Sequence, residues 1–169
     1  MAQTQPNQVP NQVPEKIREL GLKAIADALE RNDRLVLRYR DIEDALRELV
    51  PGDEYYTIES KVYEALVEGA LRAPVYIYRL GWKENSENEI VVVSARELRK
   101  DELEVLERID EVDLAGVLMY DEFCTCSYER RCAVVEVMHN LVKLWTGVRA
   151  DMVVRLLERE LSRLSDKTS

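Results

Sequence analysis

Large aromatic side chains and cations are concentrated in two short, β-prone segments, Leu35–Arg40 and Val75–Lys83. In the second segment Tyr76, Tyr78 and Trp82 occupy alternate positions, so they share one face of an extended strand. Bases stack on aromatic rings at about 1–3 kcal/mol each, and neighbouring cations contact the phosphates. The pattern predicts a surface for single-stranded nucleic acid. A row of core aromatics under a helix, with cations at its edges, is the alternative interpretation.

The predicted binding set combines these rings with the nearest cations. It consists of Arg34, Arg38, Tyr39, Arg40, Tyr76, Tyr78, Arg79, Trp82 and Lys83. On an ideal strand Tyr39 and Arg38 point in opposite directions, so the set requires a twisted sheet edge or a groove. We expect the ligand to be single-stranded DNA, or RNA, bound without preference for sequence.

Charge is distributed unevenly along the chain. With 33 acidic and 24 basic residues the formal net charge is −9, which excludes a uniformly basic nucleic-acid binder. Residues 41–70 hold nine acids against two bases, whereas residues 31–40 hold four arginines and one aspartate. Residues 72–83 hold three cations and no acid, and residues 130–169 hold eight bases against five acids. A sheet face can therefore be basic while acidic helices cover the remainder of the surface.

Four side chains with metal-ligating chemistry follow in the C-terminal third: Cys124, Cys126, Cys132 and His139. Zinc sites usually separate paired cysteines by two to four residues, so the single residue between the first two disfavours a metal. A disulfide or buried thiols are the preferred interpretation. His139 is the only histidine, and we expect it in the core or in an interface. With no glycine-rich phosphate loop in the sequence, we expect no cofactor and no enzymatic activity.

The composition also indicates the source and the compartment. All four glutamines lie within the first dozen residues, and glutamate and arginine are abundant thereafter, as in hyperthermophile proteins. No apolar run approaches the roughly 18 residues of a membrane span, and no secretory signal precedes the charged region. We therefore expect a cytoplasmic protein without a membrane partner.

Periodicity and turn residues predict alternating helices and strands. We expect helices at 15–30, 42–50, 58–72, 96–110, 128–145 and 148–164, with Asp41 capping the second, and strands at 35–40, 75–82, 90–95 and 114–120. The strands at 75–82 and 90–95 form a hairpin, and 90–120 reads as a strand–helix–strand crossover. The predicted fold class is α+β, with a small mixed four-stranded sheet flanked by helices and a C-terminal helical extension.

Three regions follow from this pattern: a disordered tail over 1–13, an α/β nucleic-acid-binding domain over 14–122 and a helical oligomerisation region over 123–169. In the last helix the apolar residues are separated by three, four and three positions, the spacing of a coiled-coil seam. They are Val154, Leu157, Leu161 and Leu164. The seam predicts self-association as a dimer or tetramer, with packing on its own domain as the alternative.

The architecture resembles the ThermoDBP-related single-stranded DNA-binding proteins of hyperthermophilic archaea. The resemblance lies in a small α/β domain over about 15–120 that carries the Leu35–Arg40 and Val75–Lys83 strands, followed by C-terminal helices. It implies an aromatic, hydrophobic groove rimmed by bases, in a homo-oligomer whose subunits share the strand.

A second pattern competes with this one. Helix 15–30, strand 35–40, helices 42–50 and 58–72 and the hairpin follow the winged-helix order, in which the 58–72 helix would enter a major groove. We expect Glu59, Glu64 and Glu68 on its exposed face, where they would repel phosphates. The chain is then either a winged-helix regulator of duplex DNA or an oligomeric protein-interaction or scaffold module.

Overall fold

The computed structural model describes residues 14–69, 71, 74–80, 89–120 and 126–168; within its helices, the side chains of 113–132 and 166–168 are not described. This part of the chain forms six helices and three strands. The first six elements are α1 (Glu15–Asn32), β1 (Val36–Arg38), α2 (Tyr39–Leu49), α3 (Tyr55–Val67), β2 (Tyr76–Leu80) and β3 (Ile90–Ser94). The last three are α4 (Lys100–Tyr120), α5 (Cys126–Thr146) and α6 (Ala150–Thr168). The tail predicted at 1–13 and the domain boundary predicted between 122 and 123 lie outside the described residues.

Helix α2 begins directly at the end of β1, three residues earlier than expected. Arg38 is the N-cap, and its backbone N–H donates to the Asp41 carboxylate at 3.0 Å. Asp41 is therefore the third helical residue of a capping box rather than the cap itself. A carboxylate at this position also favours the positive end of the helix dipole.

The sheet is antiparallel throughout, and β3 is its central strand in the order β1–β3–β2. Val92 of β3 lies opposite Val36 of β1 and opposite Tyr78 of β2. The predicted β2–β3 hairpin and the central place of Ile90–Val93 are confirmed. All four of those residues are fully buried, as expected for a strand that is apolar on both faces.

The prediction of a four-stranded mixed sheet is wrong. Residues 114–120, predicted as a strand after a crossover, belong to the 21-residue helix α4. The described part of the chain is mostly helical, with a three-stranded open antiparallel sheet. A short apolar run fits a buried strand and a helix equally well, so its periodicity did not decide between the two.

The helices pack on the sheet and on one another around one continuous core. Helix α1 packs against α2, α3 and β1, whereas α5 packs against β1 and β3. The order of α1 to β3 is the winged-helix order that the sequence predicts. Helices α5 and α6 contribute Val135, Met138, Val153 and Leu157 to the same core, so the C-terminal helices are part of it.

Helix α6 packs along α1, and its apolar seam is covered there. Val154, Leu157 and Leu164 are buried and Leu161 is half-buried. An ion pair between Arg18 of α1 and Glu160 of α6, 3.0 Å apart, lies beside these contacts. The packing corresponds to the alternative interpretation of the seam, and self-association through these residues stays a prediction.

Arg96 fastens the start of α4 to the end of α5. Its guanidinium donates twice to the Glu102 carboxylate, at 2.9 Å each, and once to the Trp145 carbonyl oxygen at 3.0 Å. The hydrogen bonds from Arg96 lower the pKa of Glu102 to about 2, against the penalty of burial. These hydrogen bonds hold the first residues of α4 next to the last residues of α5.

His139 joins α5 to the backbone just before β1. Its Nδ1 atom accepts a hydrogen bond of 2.9 Å from the Leu35 N–H, so the ring must be neutral at this nitrogen. Burial lowers the pKa of His139, and Lys143 and Arg34 lower it further, against the opposite effects of Glu136 and Asp33.

We expect Leu157→Ala to lower the free energy of unfolding by about 2–5 kcal/mol, because it opens a cavity between α6 and α1. Chemical denaturation at several protein concentrations measures this loss. Met152→Ala, an exposed change on the same helix, is the control and should cost little. A variant that keeps its stability but changes its oligomeric state would instead place the seam in an interface.

The stability should also fall as the pH is lowered from about 7.5 to about 5.5. His139 has a lower pKa in the folded chain than its ordinary 6.5, so below that value the unfolded chain binds more protons. His139→Gln keeps an acceptor but does not titrate, and its stability should fall clearly less over this range. Equal slopes for the two proteins would contradict the assignment.

Candidate functional site

The structure places the nine predicted nucleic-acid-binding residues in different environments. Trp82 and Lys83 lie outside the described residues, so their part of the prediction has no structural account. Tyr39 and Arg38 are buried, with exposures of 2% and 7%. Tyr76 is 40% exposed, and Arg40 is also at the surface. The remaining three, Arg34, Tyr78 and Arg79, are half-buried.

Tyr39 lies beneath α3, where it holds two helices together. Its hydroxyl donates to the Glu59 carboxylate at 2.7 Å, and its ring meets Tyr63 edge-on with centroids 4.9 Å apart. Glu59 is therefore engaged on the inner side of α3 rather than fully exposed as expected. A ring in this position contributes to packing between α2 and α3, and it presents no face to a base.

Arg79 of β2 links the sheet to Tyr63 and so extends the contacts of Tyr39 into a network. Its Nε donates to Glu89 Oε1 at 2.5 Å, and its Nη2 donates to the Tyr63 hydroxyl at 3.0 Å. The Glu89 carboxylate is fully buried, and its backbone carbonyl accepts the Tyr39 N–H at 2.9 Å. Arg79 and Glu89 together thus connect α2, α3, β2 and the start of β3. The Arg79 cation compensates the charge of the buried Glu89 carboxylate.

The two tyrosines of this network remain protonated at neutral pH. Burial raises the pKa of Tyr39 above its ordinary 10.0, and the hydrogen bond to Glu59 raises it further. Burial and the Glu89 carboxylate raise the pKa of Tyr63, against the effect of Arg79. Both hydroxyls therefore stay neutral, and the network has a structural role in holding α2 and α3 on the sheet.

The other predicted residues also have partners within the chain. The Tyr78 hydroxyl accepts the Leu98 N–H at 2.8 Å, which ties β2 to the segment before α4. Arg34 contacts the Asn32 side chain at 3.4 Å and the Glu136 carboxylate at 3.6 Å. Among the described residues the structure brings Tyr39 and Arg79 to the same neighbour, Tyr63, with Tyr39 buried and Arg79 half-buried. Tyr76 and Arg40 are left as the exposed members.

The metal-ligand candidates are not assembled in the part of the chain that the structure describes. Cys124 lies outside it, and the side chains of Cys126 and Cys132 are not described. His139 is buried against β1, as expected for a core histidine. No group of three or more potential ligands occurs among the described residues.

The most exposed aromatic residue of the described chain lies on α3. Tyr56 is 73% exposed and Val67 is 47% exposed, and Ser60 lies between them at the surface. These positions differ by four and seven residues, so they share one face of the helix. We call Tyr56, Ser60 and Val67 the α3 stripe. The sequence analysis did not predict this stripe, because spacing alone does not say which face of a helix the domain covers.

Carboxylates surround the α3 stripe. Glu64 and Glu68 are exposed on the same helix, and Asp53 and Glu54 are exposed just before it. Lys61 is the exposed cation of α3. Tyr56 and Val67 lie about 16 Å apart along the helix axis, with Ser60 and the exposed Glu64 between them on the same face. The exposed guanidinium of Arg47 in α2 lies over the Tyr55 ring, beside Tyr56. Four carboxylates against two cations give this surface a net negative charge, which repels phosphate and attracts cationic groups.

No protein-family model, no curated protein and no solved structure matches this chain. Among the described residues, no helix has the length and apolar character that crossing a bilayer demands.

We expect Arg79→Met to lower the free energy of unfolding by about 3–5 kcal/mol, because it leaves the Glu89 carboxylate buried without its cation. Removing both charges with Arg79→Met and Glu89→Met should cost clearly less than the single change. Arg149→Met is the matched control, since its ion pair with Asp151 is exposed and should contribute at most about 1 kcal/mol. Equal losses for the single and double variants in urea denaturation would contradict the buried pair.

Proposed function

We propose that this chain is a protein-interaction module with winged-helix topology, in which the α3 stripe docks a basic, amphipathic segment of another protein. The observation that carries the proposal is the exposed Tyr56 and Val67 on α3 within a rim of carboxylates. Exposed apolar patches with a polar rim are typical of protein interaction sites. In this topology α3 is the helix that DNA-binding relatives of the fold would insert into a groove.

Charge argues for a protein partner on this face and against duplex DNA. A groove-reading helix needs cations to neutralise phosphates, whereas α3 and the residues before it expose four carboxylates and Lys61. A partner helix with apolar residues about three turns apart and lysines between and beside them would match Tyr56, Val67 and the carboxylates. Tyr56 would be the main anchor, since aromatic residues dominate interface energetics.

Single-stranded DNA binding stays a prediction for the same chain. Tyr76, exposed on the edge strand β2, is the described ring that favours it. The burial of Tyr39 and the engagement of Arg79 with Glu89 reduce the set that could contact DNA. The two functions use different surfaces, so one experiment separates them.

The test is a fluorescence anisotropy titration with three labelled probes: a synthetic amphipathic peptide of leucine and lysine, a single-stranded oligonucleotide and its duplex. We expect the peptide to bind, with an affinity that falls as salt is added. Tyr56→Ala combined with Val67→Ser should weaken binding about tenfold or more, the loss expected when a central anchor is removed. Glu64→Lys should weaken it through charge repulsion.

The control is Met152→Ala, an exposed apolar change on α6 that should leave the affinity unchanged. A peptide with glutamate in place of lysine should not bind. Single-stranded DNA binding that is sensitive to Tyr76→Ala and insensitive to the α3 changes would overturn the proposal in favour of the nucleic-acid prediction. Equally tight duplex binding would favour a DNA regulator.

A further inference from the structure

A half-buried ring lies in the middle of the α3 stripe. Tyr63 follows Ser60 by three residues and precedes Val67 by four, and Ser60 follows Tyr56 by four. The four residues therefore have the spacing of four, three and four with which one helix meets another in a coiled-coil seam. Because Tyr63 is only half-buried, part of its side chain remains accessible to a docked helix.

Four positions of this seam and its flank enclose a hollow. When two helices pack, a side chain of one inserts between four neighbouring residues of the other, which are three, four and seven positions apart. On α3 one such set is Tyr56, Glu59, Ser60 and Tyr63. We call these four residues the α3 hollow. Tyrosines lie at its two ends, and a carboxylate and a small hydroxyl group lie at its sides.

The carboxylate of the α3 hollow forms no ion pair within the part of the chain that the structure describes. Glu59 Oε1 accepts a hydrogen bond of 2.7 Å from the Tyr39 hydroxyl, which holds the side chain in place. Glu59 is half-buried, and a neutral hydroxyl offsets only part of the cost of removing its charge from water. The hollow therefore contains a positioned negative charge that lacks a cation.

A second carboxylate lies near Glu59 on α2. Burial raises the pKa of the half-buried Glu43 carboxylate, and Glu59 raises it further, against the weaker effect of Arg47. Asp44 and Arg40 add still smaller effects of opposite sign. Repulsion between Glu43 and Glu59 thus persists in the free protein, and a cation from outside would relieve it.

The cation beside Tyr63 has a partner of its own. The Arg79 guanidinium lies over the Tyr63 ring, 5.4 Å from its centroid, and forms the ion pair with the buried Glu89 carboxylate. It also donates to the Tyr63 hydroxyl at 3.0 Å, which fixes this end of the hollow. Because Glu89 compensates its charge, Arg79 does not take the place of a cation at Glu59.

We propose that the α3 hollow holds a lysine or arginine side chain of the docked helix, with its apolar stem between Tyr56 and Tyr63 and its charged group on the Glu59 carboxylate. This inference rests on the proposed function, since it assigns one residue of the basic partner to one place on α3. Long cationic side chains pack their methylene groups on apolar surface while the charged end reaches a polar group. Tyrosine rings also attract cations. A leucine in this place would leave Glu59 without a cation, and a glutamate would be repelled.

A double-mutant cycle with the full chain tests this contact. Each lysine of the leucine–lysine peptide is replaced in turn by norleucine, which keeps the stem and removes the charge, and anisotropy measures each affinity. For the wild-type chain we expect one replacement to weaken binding about tenfold or more. Against Glu59→Gln, which keeps an acceptor for the Tyr39 hydroxyl, the same replacement should weaken binding less than about twofold. Glu68→Gln removes an exposed carboxylate outside the hollow, and this control should weaken all peptides alike.

Ser60→Leu tests the space of the hollow without changing Glu59. Ser60 is exposed, so the larger side chain should leave the fold intact and weaken peptide binding about tenfold by filling the hollow. Thr57→Leu, which is also exposed on α3 but outside the hollow, is the matched control and should leave the affinity unchanged. Circular dichroism shows whether each variant retains its helix content.

The outcomes separate this contact from docking on α3 itself. A peptide that does not bind the wild-type chain, or that binds equally well after Tyr56→Ala with Val67→Ser, contradicts the proposed function and the hollow with it. Binding that requires Tyr56 and Val67, but in which no lysine is coupled to Glu59, overturns the hollow alone. Full affinity after Ser60→Leu would also overturn the hollow and leave the proposed function in place.

Discussion

Burial of β3 on both faces is the constraint on which the other elements depend. Ile90 to Val93 are inaccessible to solvent, and strands pair with β3 on either side. Burying one such side chain is worth about 1.5–3 kcal/mol, so helices must cover both faces of the strand. Helix α5 packs against β3 and β1, and helix α1 packs against the neighbouring strand β1. The C-terminal helices are therefore part of the fold.

The same burial explains where the charged and aromatic residues of the sheet lie. Arg38 lies at the end of β1 and Arg79 near the end of β2, and both strands pair with β3. Glu89 immediately precedes β3. Tyr39 of α2 contacts Glu89, and Tyr63 of α3 contacts Arg79. A charge drawn into such a site must be paired, and Arg79 meets Glu89 and the Tyr63 hydroxyl. At the positions that the structure describes, the alternating rings and cations therefore belong to an internal hydrogen-bond network that connects helices to the sheet. Alternation specifies the two faces of a strand, but it does not say which face a helix will cover.

The surface that remains exposes apolar side chains on two helices. The α3 stripe has more carboxylates than cations near it, which suits a cationic partner. Val137 and Leu144 of α5 are exposed on the side of that helix that does not pack against the sheet.

The sequence by itself determined the local features: the presence of six helices in this order, the β2–β3 hairpin, the central place of β3 and the acidic character of α3. These depend on propensity, periodicity and composition within a few residues. It did not determine whether residues 114–120 extend α4. It also did not determine which helix leaves its apolar residues exposed, because Val134, Val137, Leu141 and Leu144 of α5 have the same spacing of three, four and three as the seam of α6. Docking of α6 along α1 buries one seam, and docking of α5 through Met138 and His139 turns the other toward solvent. That choice belongs to the tertiary structure, since burial is a property of what packs against a side chain and not of its spacing.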